Sequence, residues 1–234
     1  MAWSPKSAAN AYLDTLKLCK FDYERHHNSF KSAEPATNEF ISALAAGMCA
    51  QLIVEVSFGV SKMTIALAVA ARQTGGRLVC IVPEAQALPE LKQSIKDSGL
   101  KDIVEFKVGD PLELLLEYKN IDFSLVDCKT HNYSALLQLL DVNPRRSVVV
   151  ANNLVGGRKG LGGHMSGMMG AVRSMKHPIG KGMEVTMIGK SDEFGKRERK
   201  AGVERVRTPR KSNWIVKVDE VSGEEHIFRV PRFI

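Results

Sequence analysis

Five short stretches of the chain are continuously apolar: QLIVEV (51–56), RLVCIV (77–82), DIVEFKV (102–108), IDFSLVD (121–127) and RRSVVVANN (145–153). Runs of this length without polar alternation predict strands covered on both faces, as in a parallel sheet. Between them lie stretches of helical spacing: the alanine-rich TIALAVAARQTG, then EAQALPELKQSIKDSG, PLELLLEYK and NYSALLQLL. Strand–helix alternation predicts right-handed βαβ units, and so a doubly wound α/β domain with a mostly parallel sheet. Two helices are predicted upstream. NAYLDTLKLCKF spaces Tyr12, Leu13, Leu16 and Leu18 along a turn-and-a-half of helix, and PATNEFISALAAGM (35–48) has proline in its first turn and Gly47 near its end.

Beyond the fifth run the pattern lapses. Residues 154–182 are dense in Gly and Met and carry little strand or helix signal. They come after a strand's carboxyl end, where open α/β sheets hold ligands, so a surface loop and a lid over a site both stand as readings. GMEVTMIG (182–189) and NWIVKVDEV (213–221) are expected to form an antiparallel pair with a basic segment at its tip. HIFRV (226–230) is expected to close the domain after a SGEE turn. The expected organisation is a helical N-terminal extension over 1–31 and a Rossmann-like domain over 32–234, with a basic insertion at 190–211.

Composition changes this picture in two places. At 234 residues, 44% hydrophobic and 25% charged, the chain reads as an ordinary soluble globular protein with no span or secretory leader. The first change comes from Cys19, Cys49, Cys80 and Cys128. They form no CxxC pair, and three sit in apolar runs, which predicts buried free thiols in a reducing compartment. The cytoplasm is the expected location, with the nucleus as an alternative. The second is charge. Of the net +7, the segment 190–211 supplies nine Lys/Arg against four Asp/Glu, or +5, so the basicity belongs to one segment. It is expected to be either a solvated face or a grip on an acidic or nucleic-acid partner.

The chemistry is expected at VEVSFGVSKMT (54–64), where a strand ends in an acid, turns on one glycine and enters an alanine-rich helix. The blocks SAEPATNEFISALAAGMCAQLIVEV, ALAVAARQTGGRLVCI, VGDPLELL, DFSLVDCKTHNY and VVVANNLVGG resemble class I S-adenosylmethionine-dependent methyltransferases of the caffeoyl-CoA O-methyltransferase type. A plant-specific family of proteins without assigned activity, built on the same plan, is also similar. The resemblance covers roughly residues 9 to 189. It implies an antiparallel hairpin closing the sheet, a methyl donor at the carboxyl edge and a small-molecule acceptor.

Residue by residue, the resemblance implies that Glu55, Ser57, Gly59 and Ser61 form the first cofactor turn. That turn is about two residues shorter here, with Ser57 where glycine is expected. The ribose acid falls at Val82, and Glu84 is the nearest carboxylate; it is either a displaced ribose ligand or a helix-start carboxylate. Gly109 and Asp110 match the adenine-side position, and Asp110 before Pro111 is also a natural helix N-cap. The family's divalent-metal ligands map to Asp127, Asn152 and Asn153, with Asn in place of one Asp and Lys129 beside the set. One carboxylate and a neighbouring cation predict that no metal is held. Lys129 then either orients an acceptor oxygen, with His131 as a nearby base, or neutralises Asp127 in a retired site. Asp127 is also expected to face the cofactor. The competing expectation is a catalytically silent Rossmann-like module that binds through its basic hairpin tip. Homodimers occur among such relatives.

Overall fold

Seven strands form one sheet in the order β3-β2-β1-β4-β5-β7-β6. In chain order they are β1 (Leu52–Val56), β2 (Arg77–Val82), β3 (Val104–Val108), β4 (Phe123–Asp127), β5 (Arg146–Asn152), β6 (Ala171–His177) and β7 (Met183–Gly189). The helices are α1 (Pro5–His26), α2 (Thr37–Gly47), α3 (Lys62–Thr74), α4 (Leu88–Asp97), α5 (Pro111–Leu114) and α6 (Tyr133–Leu139). The computed structural model describes residues 3–26, 37–57, 62–85, 88–129, 132–154, 160–161, 171–189, 213–218 and 225–230.

β1 to β5 run parallel to one another, and β7 runs antiparallel to both β5 and β6. The apolar runs become buried strands because each presents side chains to two helical layers. Ile53, Leu125, Val150 and Val185 face α2 and α3 in one core. Val54, Val56, Ile81, Val126 and Val149 face α6 and the end of the α5 segment in the other. Residues Thr64–Ala71 of α3 are buried all the way round. Alanine makes that tolerable, since its small side chain lets the sheet, α1 and α2 approach the helix together.

α1 buries Ala8, Ala11, Thr15 and Cys19, spaced three or four apart on one stripe. Thr15 Oγ1 donates to Ser42 Oγ at 2.8 Å, and the Ser4 N–H donates to the Gly47 carbonyl at 2.9 Å. Arg72 and Gln73 both reach Asp14, at 3.2 and 2.8 Å, and Lys62 Nζ donates to the Cys19 carbonyl at 3.5 Å. α1 is thereby laid along α2 and α3.

The antiparallel element at the C-terminal end of the sheet is present, but its strands differ from the expected pair. β7 pairs with β5 and with β6, and β6 lies within the stretch 154–182 that carries little strand pattern. The physical reason is exposure: Arg173, Ser174, Met175 and Lys176 are all exposed, so β6 shows no apolar alternation. The strand at 213–218 (β8) pairs instead with 225–230 (β9), antiparallel. By contacts the chain divides at Gly195/Lys196, with β8 and β9 in the second unit. The basic segment 190–211 lies outside the described residues. Of the four free cysteines, Cys19, Cys80 and Cys128 are buried and Cys49 is half-buried. No helix among the described residues is long and apolar enough to cross a membrane.

Candidate active site at the carboxyl edge

Strands β1 and β4 are neighbours, and each ends in an acid on the α3 face of the sheet. Register fixes that face: Glu55 stands opposite Cys80 on one side and Leu125 on the other. Glu55 is fully buried, and neither carboxyl oxygen has a hydrogen-bond partner among the described residues. Burial pushes its pKa up from 4.5 to about 7. The Thr64 hydroxyl at the start of α3 and the Cys80 thiol lie near enough to favour the anion somewhat, without reaching full hydrogen-bond geometry, while the Asp127 charge pushes the pKa further up. The same burial, with Glu55 beside it, raises the Cys80 thiol well above its ordinary value. Thr64 Oγ1 is likewise buried without a partner. An acid with no donor is costly inside a protein unless a ligand or a proton satisfies it.

Asp127 is in the opposite condition. Asn153 Nδ2 donates to its Oδ1 at 2.7 Å, the Lys129 backbone N–H donates to the same oxygen at 3.2 Å, and Lys129 Nζ lies 3.7 Å from Oδ2. The Lys129 side chain is 59% exposed and that of Asp127 15%. Asn153 adopts φ +63°, a left-handed conformation that asparagine tolerates better than most residues. Asn152 points elsewhere, its Nδ2 3.3 Å from the Met63 sulfur of α3. This donor set does not suit a divalent cation. It offers one carboxylate, an ammonium already beside it and an amide turned to a thioether. Among the described residues no three His, Cys, Asp or Glu converge as ligands.

The other expected residues are spread along the same edge. Ser57 is buried, and its N–H donates to the Ile81 carbonyl at 3.1 Å. Glu84 is exposed, two residues past β2. Gly109 has φ +149°, a conformation that favours glycine, and donates to the Val82 carbonyl at 3.1 Å. Asp110 caps α5 by accepting from the Leu112 N–H at 2.9 Å. Gly59, Ser61 and His131 lie outside the described residues.

Thr64, Cys80 and Met63 enter the site without a sequence motif, and Glu184 is a further buried acid on the other face of the sheet. Glu184 is 3% exposed, sits opposite Ala151 and accepts from Thr186 Oγ1 at 3.4 Å. A side chain on Gly160 would overlap its carboxylate. Its partner Ala151 faces the core opposite the one that Glu55 faces, so the two buried acids lie on opposite faces of the sheet. A lone acid in an otherwise apolar strand (Glu184 in MEVTMIG) is the signal that marks it.

The fold has many solved counterparts. A methyltransferase from Geobacter sulfurreducens is 22% identical, with TM-score 0.58 and coverage of 76% of this chain and 89% of that one. The O-methyltransferase TomG from Streptomyces achromogenes, solved in complex with S-adenosylmethionine, is 20% identical, with TM-score 0.55 and coverage of 75% and 89%. A Staphylococcus aureus protein provisionally assigned as a caffeoyl-CoA O-methyltransferase is 14% identical, with TM-score 0.56 and coverage of 76% and 100%. At these identities the likeness is one of fold, and the fold is the Rossmann-like one of class I methyltransferases. No curated protein matches in sequence. A family model does match, over residues 1–230: the chain belongs to the family described as protein of unknown function, DUF1442.

Proposed function

We propose that this protein binds S-adenosylmethionine at the carboxyl edge of its sheet and transfers the methyl group to an oxygen of a small molecule without a divalent metal. The observation that carries this reading is Glu55, a fully buried acid at the end of β1 with no hydrogen-bond partner among the described residues. A cationic ligand satisfies such a group better than any internal donor here. The S-adenosylmethionine-bound neighbour TomG supports the choice of cofactor.

In this reading Glu55, Ser57, Gly59, Ser61, Glu84, Gly109, Asp110 and Asp127 line the cofactor's position. The bound cofactor supplies an electrophilic methyl group on a sulfonium. The protein's own work is to hold an acceptor oxygen in line and favour its deprotonated form. Lys129, anchored by Asp127 and exposed beyond it, provides the positive charge for that oxygen in place of an ion. His131 takes the proton. The engagement of Asp127 by both Lys129 and Asn153 also favours a second reading, a silent binding module acting on an acidic partner through 190–211.

Calorimetric titration with S-adenosylmethionine and S-adenosylhomocysteine separates the two. The enzyme reading expects heat with both, weakened by about 1–3 kcal/mol in Asp127→Ala and in Glu84→Ala. Turnover is expected to be unchanged by EDTA. No heat and no thermal shift would sink it, and loss of turnover in EDTA would sink the metal-free part.

A further inference from the structure

The two edges of the seven-stranded sheet are unlike. At the β3 edge, charges are matched: Glu105 pairs with Arg77 and Lys107 at 3.4 Å each, and Lys107 also pairs with Glu117 at 3.6 Å. At the β6 edge they are not. Residues 171–183 contain Arg173, Lys176 and Lys181 and no Asp or Glu. Arg173, Lys176 and Lys181 are exposed and make no ion pair among the described residues. β6 pairs with β7 over all seven residues without a slip, from Ala171↔Gly189 to His177↔Met183. Its other edge pairs with no described strand. It has no proline or bulge to block an added strand, and Met175, next to its central Ser174, is 53% exposed.

We propose that β6 receives an extended acidic peptide, added in the plane of the sheet beside the edge that pairs with no described strand. Three observations choose this occupant. An unpaired strand edge offers a row of backbone donors and acceptors, which a peptide backbone matches. Arg173 and Lys176 are three residues apart, so they project from opposite faces of the sheet. A ligand lying flat on one face meets only one of them, whereas an in-plane strand with acids three apart meets both. A second copy of β6 is disfavoured, because its own cations would face these across the new ladder. This inference does not rest on the methyltransferase reading, since β6 carries none of the residues assigned to that site.

The test uses the full chain and a fluorescein-labelled heptapeptide, Glu-Val-Thr-Glu-Val-Thr-Glu, with a lysine-for-glutamate peptide as control. Anisotropy is expected to show binding of the acidic peptide alone, weakening with salt. In Arg173→Glu/Lys176→Glu the affinity is expected to fall about tenfold and the lysine peptide to bind instead. Amide hydrogen exchange is expected to slow in 171–177 when the acidic peptide is bound. Four outcomes overturn the proposal. These are no binding at low salt; equal binding to the charge-reversed variant, which would put the peptide on another basic surface; binding without protection of β6; and a concentration-dependent dimer that protects β6 without peptide.

Discussion

At the end of β1, Glu55 is sealed from water with no full hydrogen bond among the described residues, while one strand away Asp127 is held by an amide, a backbone N–H and an ammonium. Both are strand-end carboxylates on one sheet face. The difference lies in the residues that come next along the chain. Two positions after Asp127 stands Lys129, and β5 delivers Asn153 in a left-handed conformation beside it. After Glu55 come Val56 and Ser57, and its neighbours Thr64 and Cys80 are weak donors. One half of the edge has become self-sufficient. The other is left wanting a proton or a cation.

The largest expected effect comes from removing that want. Burial raises the Glu55 pKa from 4.5 to about 7, so the folded state binds its proton more tightly than the unfolded chain does. The resulting penalty is absent below about pH 4.5, grows as pH rises towards 7, and is complete above it, at about 3 kcal/mol. Thermal unfolding is expected to show Glu55→Gln stabilised at pH 8, by roughly 6–12 °C in Tm, and nearly unchanged at pH 4.5. A variant equally stable or weaker at pH 8 would mean Glu55 is satisfied after all. Saturating S-adenosylmethionine is expected to narrow the gap.

Removing the self-sufficient acid comes next. Asp127→Ala removes the carboxylate that holds Lys129 and Asn153 and is expected to lower fold stability by about 1–2 kcal/mol in urea denaturation. A gain in stability, as expected for Glu55→Gln, would erase the contrast between the two acids. The Asp110 cap is smaller. Asp110→Ala is expected to cost about 1 kcal/mol of stability and to weaken cofactor binding in titration; unchanged affinity would leave Asp110 the helix cap alone. Smallest of all, Lys129→Ala breaks an exposed pair and is expected to change stability by about 0–1 kcal/mol. If Lys129 orients the acceptor, kcat falls while cofactor affinity holds.

Much of the fold is legible in the chain, because parallel strands buried on both faces leave runs such as RLVCIV and SVVVAN, and a helix buried all round leaves an alanine block. β6 is illegible for the opposite reason: an edge strand exposed on both faces imposes no hydrophobic pattern on AVRSMKH. In the site, Asp127 with Lys129 can be read from their two-residue spacing and Asp110 from its place before Pro111. That Glu55 lies beside Cys80 cannot be read. That contact depends on the register of β1 against β2, set by the whole sheet and by no local motif.

α1 is tied to residues far along the chain, to Ser42 in α2 and to Lys62, Arg72 and Gln73 in α3. On the ribosome α1 emerges before α2 and α3, so its stripe of Ala8, Ala11 and Cys19 stays uncovered until those helices follow. In that interval it offers a chaperone a hold on the nascent chain.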